Sequence, residues 1–222
     1  FDPGAIRFRA SAPESQAVAV LGGTPYSYFR YEQHLAAQNG LVVYEEIARD
    51  FAQVCGRTHA AVESSYTEDA EVVLVMMGSF ATKALEAVER LREAGQKVGL
   101  VRPRLLRPFP EARLRELLLG KPGAAVIDQN LSLGKGGVLF TEVAAALYGR
   151  PGAPLLTSFI GGLGGRDITA EEFFEMVKVT REAVARGQAP PPRLLFTAEE
   201  LREVRKLQAI AQVERARLGG RP

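Results

Sequence analysis

The sequence predicts an open, mostly parallel α/β sheet with helices on both faces, preceded by a helical segment and followed by a helical tail. Three observations predict it. Short apolar runs recur at 70–77, 97–101, 123–128 and 155–160, each too brief for a helix and typical of strands buried on both faces. Stretches with helical spacing of leucine, valine and alanine lie between them. Glycine or proline punctuates nearly every junction, so strand and helix alternate at the spacing of parallel crossovers.

Taken in order, residues 1–15 (FDPGAIRFRASAPES) read as an irregular segment with turn chemistry at Asp2-Pro3-Gly4. Phe29 to Cys55 reads as a helix carrying Leu35, Leu41, Val42, Ile47, Phe51 and Val54, with a break or kink expected at Gly40 and a stop at Gly56. The joint at 57–67 is the expected domain boundary. Ala70 to Met77 is the first strand, and Ser79 is placed to cap a helix over Phe80–Ala94 with Leu85, Val88 and Leu91 as its stripe. Lys97 to Val101 is the second strand. Pro110 suits a first helical turn, and Leu114, Leu117 and Leu118 line the short helix behind it. Gly123 to Asp128 is the third strand, Val138 to Tyr148 a small-residue helix, and Leu155 to Ile160 the fourth strand. Thr169 with Glu172 forms a capping box for a helix to about residue 185. The run Pro190–Pro192 then sets off a tail, in which Thr197 and Glu200 repeat that box before an amphipathic helix over about 198–218. The expected divisions are 1–66, 67–187 and 188–222.

Composition narrows the function. The 222 residues carry 28 Lys and Arg against 26 Asp and Glu, a net charge of +2, which gives no concentrated basic surface for nucleic acid. One cysteine, Cys55, excludes an internal disulfide, a multi-cysteine zinc site and a self-contained iron–sulfur cluster. No stretch approaches the roughly 20 consecutive apolar residues of a membrane span, and the start lacks a signal-peptide layout, so cytoplasmic residence is expected. Residue 1 is Phe, from which we expect a chain that begins partway through a longer polypeptide.

Catalytic chemistry is poorly supported by the residues. His34 and His59 have no evident Ser or Cys partner, Cys55 reads as a small buried apolar residue, and Glu45-Glu46 as a solvated helix face. The glycine clusters LGKGGV (133–138) and GGLGG (161–165) fit neither the dinucleotide fingerprint nor the P-loop, and read as tight turns at strand ends. Ligands and partner surfaces collect beyond the carboxyl ends of parallel strands. Lys135, Gly136, Gly137, Arg166 and Asp167 are therefore candidates for a strand-end loop facing a ligand or a neighbouring subunit, with a simple surface salt bridge as the alternative for Arg166 and Asp167. In RPRLLR (102–107), Arg104 and Arg107 suit contact with another domain or subunit better than phosphate.

Three blocks carry a resemblance: VVLVMMGSFATKALEAVERLREAGQKVGLVRPRLLRPFP (72–110), AVIDQNLSLGKGGVLFTEVAAALYG (125–149) and FIGGLGGRDIT (159–169). In content, order and spacing they resemble the α-subunit of 2-oxoacid:ferredoxin oxidoreductases of the pyruvate synthase type. The resemblance implies a transketolase C-terminal-like domain that packs beside the cofactor domains and supports them. It also implies thiamine diphosphate, magnesium, iron–sulfur clusters and coenzyme A in the complete complex, none of them bound by this chain alone. Partners would be the thiamine diphosphate-binding and iron–sulfur domains or subunits, and ferredoxin through the complex. No catalytic, cofactor-binding or metal-binding residue is carried over. Residues 30–57 resemble the end of a preceding pyrimidine-facing domain, and the tail after Gly187 matches no feature of the family. The other readings are a stand-alone assembly module that kept the fold without catalysis, and another thiamine-dependent relative, which FIGGLGGRDIT disfavours.

Overall fold

The computed structural model describes residue 11 and residues 23–217, so the Asp2-Pro3-Gly4 turn and Leu218 lie outside the described residues. The chain order is α1 (Thr24–Cys55), β1 (Val62–Ser65), β2 (Val72–Met76), α2 (Phe80–Glu93), β3 (Val98–Pro103), α3 (Glu111–Leu118) and β4 (Gly123–Asp128). It continues with α4 (Val138–Leu147), β5 (Leu155–Ile160), a 3-10 turn at Leu163–Gly165, α5 (Ala170–Arg186), β6 (Arg193–Leu194) and α6 (Ala198–Arg217). The strands form one sheet in the order β1-β3-β2-β4-β5-β6, parallel throughout except for β1.

Period-two alternation within the strands builds two cores. Leu74, Met76, Ile127 and Phe159 face α2 and α5, where they meet Ala84, Val88, Phe173 and Met176. Val73, Val75 and Val126 face the other way, against Leu114 and Leu118 of α3 and Leu139 and Val143 of α4. Both faces of the sheet are thereby covered, as the uninterrupted apolar runs predict. Strand order reverses between β2 and β4, because the chain runs outward to β3 and then crosses back. The crevice beyond the carboxyl ends of β2 and β4 is the topological switch point.

Four local expectations need correction. α1 runs unbroken through Gly40. One glycine costs about 1 kcal/mol in a helix interior, too little to break this one, which also rests its second half on the body through half-buried Leu41, Tyr44, Ala48 and Phe51. Ser79 makes no side-chain cap, because its own backbone is helical (φ −68°, ψ −36°) rather than in the extended state a capping side chain requires. Val62–Ser65, placed before the expected boundary at residue 67, is a strand of the same sheet, antiparallel to β3. The proline run does not set the tail apart, since β6 follows it directly and pairs with β5. Both expected capping boxes form, at Thr169–Glu172 and at Thr197–Glu200.

Gly40 supplies a prediction in the stabilising direction. An alanine Cβ there would sit in ordinary contact with the Pro108 ring, 3.6 Å away. Gly40→Ala is expected to raise stability by about 0.5–1 kcal/mol, read as an upward shift of the thermal midpoint by circular dichroism.

Candidate functional site

The carboxyl edge of the sheet gathers the loops that follow β2, β4 and β5. Here β4 ends on Asp128, an acid terminating a strand that is otherwise wholly apolar and buried. The Leu139 amide donates to Asp128 Oδ1 at 2.7 Å and the Phe140 amide to Oδ2 at 3.1 Å, so the carboxylate satisfies the free N–H groups that open α4. Burial pushes the Asp128 carboxyl above its ordinary range, and the amides of Leu139, Phe140 and Val138 only partly offset that. Met77, Leu106, Ile127, Asn130 and Leu139 line a hollow of about 240 Å³ beside it. Gln129 lies across the edge between two glycines, its Oε1 2.9 Å from where a Cβ on Gly78 would stand and its Nε2 3.4 Å from one on Gly162.

The expected site residues divide into three groups. Lys135, Gly136 and Gly137 belong to the loop between β4 and α4, which closes on itself through paired backbone bonds between Ser132 and Gly136 (2.8 and 3.0 Å). Gly137 backs directly onto Asp128; a Cβ there would lie 2.7 Å from the Asp128 Cβ and closer still to its carboxyl group. Lys135 is exposed, and its ammonium makes no hydrogen bond or ion pair among the described residues. Arg107 reaches Glu142 of α4 at 2.6 Å.

Arg104 joins a second group at the β1 edge. Its guanidinium holds Glu63 at 2.7 and 2.8 Å, with Arg102 3.7 Å and His59 3.4 Å from the same carboxylate. Burial raises the Glu63 pKa, but hydrogen bonds from Arg104 and His59 and the two arginine charges outweigh it, so the carboxyl sits below its usual value. Arg102 also donates to the Gly78 carbonyl at 3.0 Å, tying β3 to the loop after β2.

Arg166 and Asp167 form the third group, and they do not pair with each other through their side chains. Asp167 binds Lys83 of α2, and that contact holds its carboxyl below the usual range. Arg166 binds the glutamates of both capping boxes: Nη2 to Glu172 at 2.7 Å and Nε to Glu200 at 2.5 Å. With its side chain only 19% exposed, it joins the first turns of α5 and α6. The Arg166 bond, then the amide of Thr197, pulls the Glu200 carboxyl from 4.5 to about 2. A carboxyl lowered in this way keeps its pairing at full strength above pH 4.5 and loses it only as pH falls through about 2.

Asp128, Gln129, Glu63 and Glu200 escaped the sequence reading as functional positions. Asp128 left a signal, a charged residue closing a doubly buried strand; Glu63 and Glu200 left none beyond a capping box, because their partners are distant in the chain. Among the described residues, no three His, Cys, Asp or Glu side chains stand together as metal donors. His34 sits exposed on α1; Cys55, expected to be buried, is exposed, because the last turn of α1 runs past the body of the domain. No described helix is long and apolar enough to cross a membrane.

Fold and site together define a doubly wound α/β domain whose carboxyl edge is held by internal ion pairs. Comparison with known proteins agrees with the three sequence blocks: residues 70–173 match the pyruvate:ferredoxin oxidoreductase core domain II. The chain is similar to ketoisovalerate oxidoreductase subunit VorA of Pyrococcus abyssi, 37% identical over 168 residues, covering 74% of this chain and 42% of that one. It is similar to pyruvate synthase subunit PorA of the same organism, 36% identical over 75% of this chain and 42% of the relative. Against PorA of Thermotoga maritima it is 40% identical over 149 residues, 66% of this chain and 38% of the relative. A solved 2-oxoglutarate:ferredoxin oxidoreductase from Magnetococcus marinus overlaps 60% of this chain and 21% of its own, at 23% identity and a TM-score of 0.42. The chain thus spans less than half the length of these curated relatives.

Proposed function

We propose that this chain is a structural and assembly part of a thiamine diphosphate-dependent 2-oxoacid:ferredoxin oxidoreductase. The complete complex would oxidatively decarboxylate pyruvate or a related 2-oxoacid to an acyl-coenzyme A and pass the electrons to ferredoxin. The observation that carries this reading is the core domain II over 70–173, together with relatives named for pyruvate and ketoisovalerate.

The chemistry of the side chains supports a supporting role. A cubane cluster takes four thiolates, and this chain has one cysteine, so the clusters would be held by other domains or subunits. Arg104, Arg107, Arg166 and Asp167 would keep the carboxyl edge in shape through their internal carboxylate and lysine partners. Lys135, exposed on its closed loop and without an ion-pair partner among the described residues, would meet the neighbouring subunit. A cytoplasmic complex belongs to the same reading.

The test is reconstitution. The chain should co-purify with thiamine-binding and cysteine-rich partner chains, and the assembly should reduce viologen when given a 2-oxoacid, coenzyme A and thiamine diphosphate. Omitting the chain should lower that rate at least tenfold, while the chain alone should show none. Full activity without the chain would overturn the reading.

A further inference from the structure

The chain that follows α5 packs against both glycine clusters. Residues 192–197 cross the carboxyl edge as an extended segment that leads into the first turn of α6. Pro192 lies against the first cluster, 4.0 Å from where a Cβ on Gly136 would stand. Arg193–Leu194 pair in parallel with Phe159–Ile160, and the Leu195 amide donates to the Ile160 carbonyl at 2.8 Å. The Leu195 side chain is buried in the core shared by Ile168 and Phe173, and reaches to 2.7 Å from the Cβ position of Gly161. A side chain at Gly161 would force the Leu195 methyl and the Ile168 side chain to shift.

At its far end the segment is locked by Arg166, which grips Glu200 and Glu172 together. Past Glu200 the anchorage fades. Val204 is half-buried, and every described residue from Arg205 to Arg217 is exposed. Twenty helical residues are therefore held in place by a two-residue strand, one buried leucine, half-buried Val204, the exposed Arg193–Glu175 ion pair and the Arg166 guanidinium.

We propose that residues 192–200 are a detachable strap, latched by Arg166–Glu200, which opens as one unit with α6 while the α/β body stays folded. The physical basis is the mismatch in anchorage. Strands β2 and β4 lie in the centre of the sheet with all their residues buried, whereas the strap draws on few buried contacts, and segments of that kind open well before the whole domain does. Opening bares the β5 edge at Phe159–Ile160, empties the Leu195 site and frees Arg166, which leaves an unpaired strand edge that another extended segment can join. Whatever opens the strap must offer the same chemistry, an apolar side chain for the Leu195 site and a carboxylate for Arg166.

Hydrogen exchange on the full chain, read by mass spectrometry at neutral pH, tests this. In the unmodified protein the amides of 193–201 should be protected, less so than those of 72–76 and 123–128. In Glu200→Gln, which removes the anion but leaves Arg166 bonded to Glu172, exchange over 193–205 should rise at least tenfold while 72–76 and 123–128 keep their rates. Arg166→Gln should do the same to a greater degree. The proposal fails if Glu200→Gln leaves 193–205 as protected as before, or if exchange rises in equal measure over β2 and β4. It also fails if the segment exchanges at unprotected rates in the unmodified chain. Should Arg166→Gln not fold, Glu200→Gln alone decides.

Discussion

Gly137→Ala should destabilise the chain by about 3 kcal/mol, the upper end of the cost of overpacking a filled interior, raised by the disturbed hydrogen bonds of a buried carboxylate. The backbone there is ordinary extended chain (φ −74°, ψ 143°), so the cost does not come from conformational strain. It comes from space: the new Cβ falls within 2.7 Å of the Asp128 Cβ and nearer still to the carboxyl group. Either Asp128 turns away and strands the amides of Leu139 and Phe140, or α4 shifts off β4. Urea unfolding of the purified chain measures the loss. Asp128→Ala combined with Gly137→Ala should cost less than the sum of the two single changes, since the neighbours clash directly. Full additivity would contradict the close packing described here.

Phe173→Ala should cost about 3–5 kcal/mol, the range for emptying an aromatic site in a packed core. Phe173 has no exposed surface and sits in the core between α2, α5 and the sheet, together with Met76, Phe159 and Leu195. The loss should therefore reach beyond thermal stability. The void opens under Leu195, so exchange over 193–205 should quicken more than overall destabilisation accounts for. A cost below about 1 kcal/mol would mean that the site collapses, against the packing density expected of such an interior.

These two positions differ in how far the sequence exposed them. Phe173 follows Thr169 and Glu172 in a capping box, and its spacing to Met176, Val177 and Thr180 marks the inner face of a helix. Gly137 reads in sequence as one more glycine in a loop. Its importance depends on Asp128, nine residues earlier, and on a helix that must start beside it. Gly40 shows the reverse case, where a glycine that reads as a break lies within a continuous helix. Arg166 stands between them: the sequence marks it as a residue at a strand end, while its partners Glu172 and Glu200 come from two separate helix starts.

By itself the sequence determined the α/β class, the four central strands, both capping boxes and the family blocks, because each rests on local periodicity or on contiguous residues. Only the tertiary structure decided that Val62–Ser65 and Arg193–Leu194 are the sheet's edges, since four- and two-residue strands carry too little periodicity to declare themselves. It alone also decided the use of the carboxyl edge. There Gly137 and Gly161 give way to Asp128 and Leu195, and the arginines close on carboxylates from other elements. Such contacts pair residues far apart in the chain, and no local pattern encodes a pairing that exists only once the sheet has brought its strand ends together.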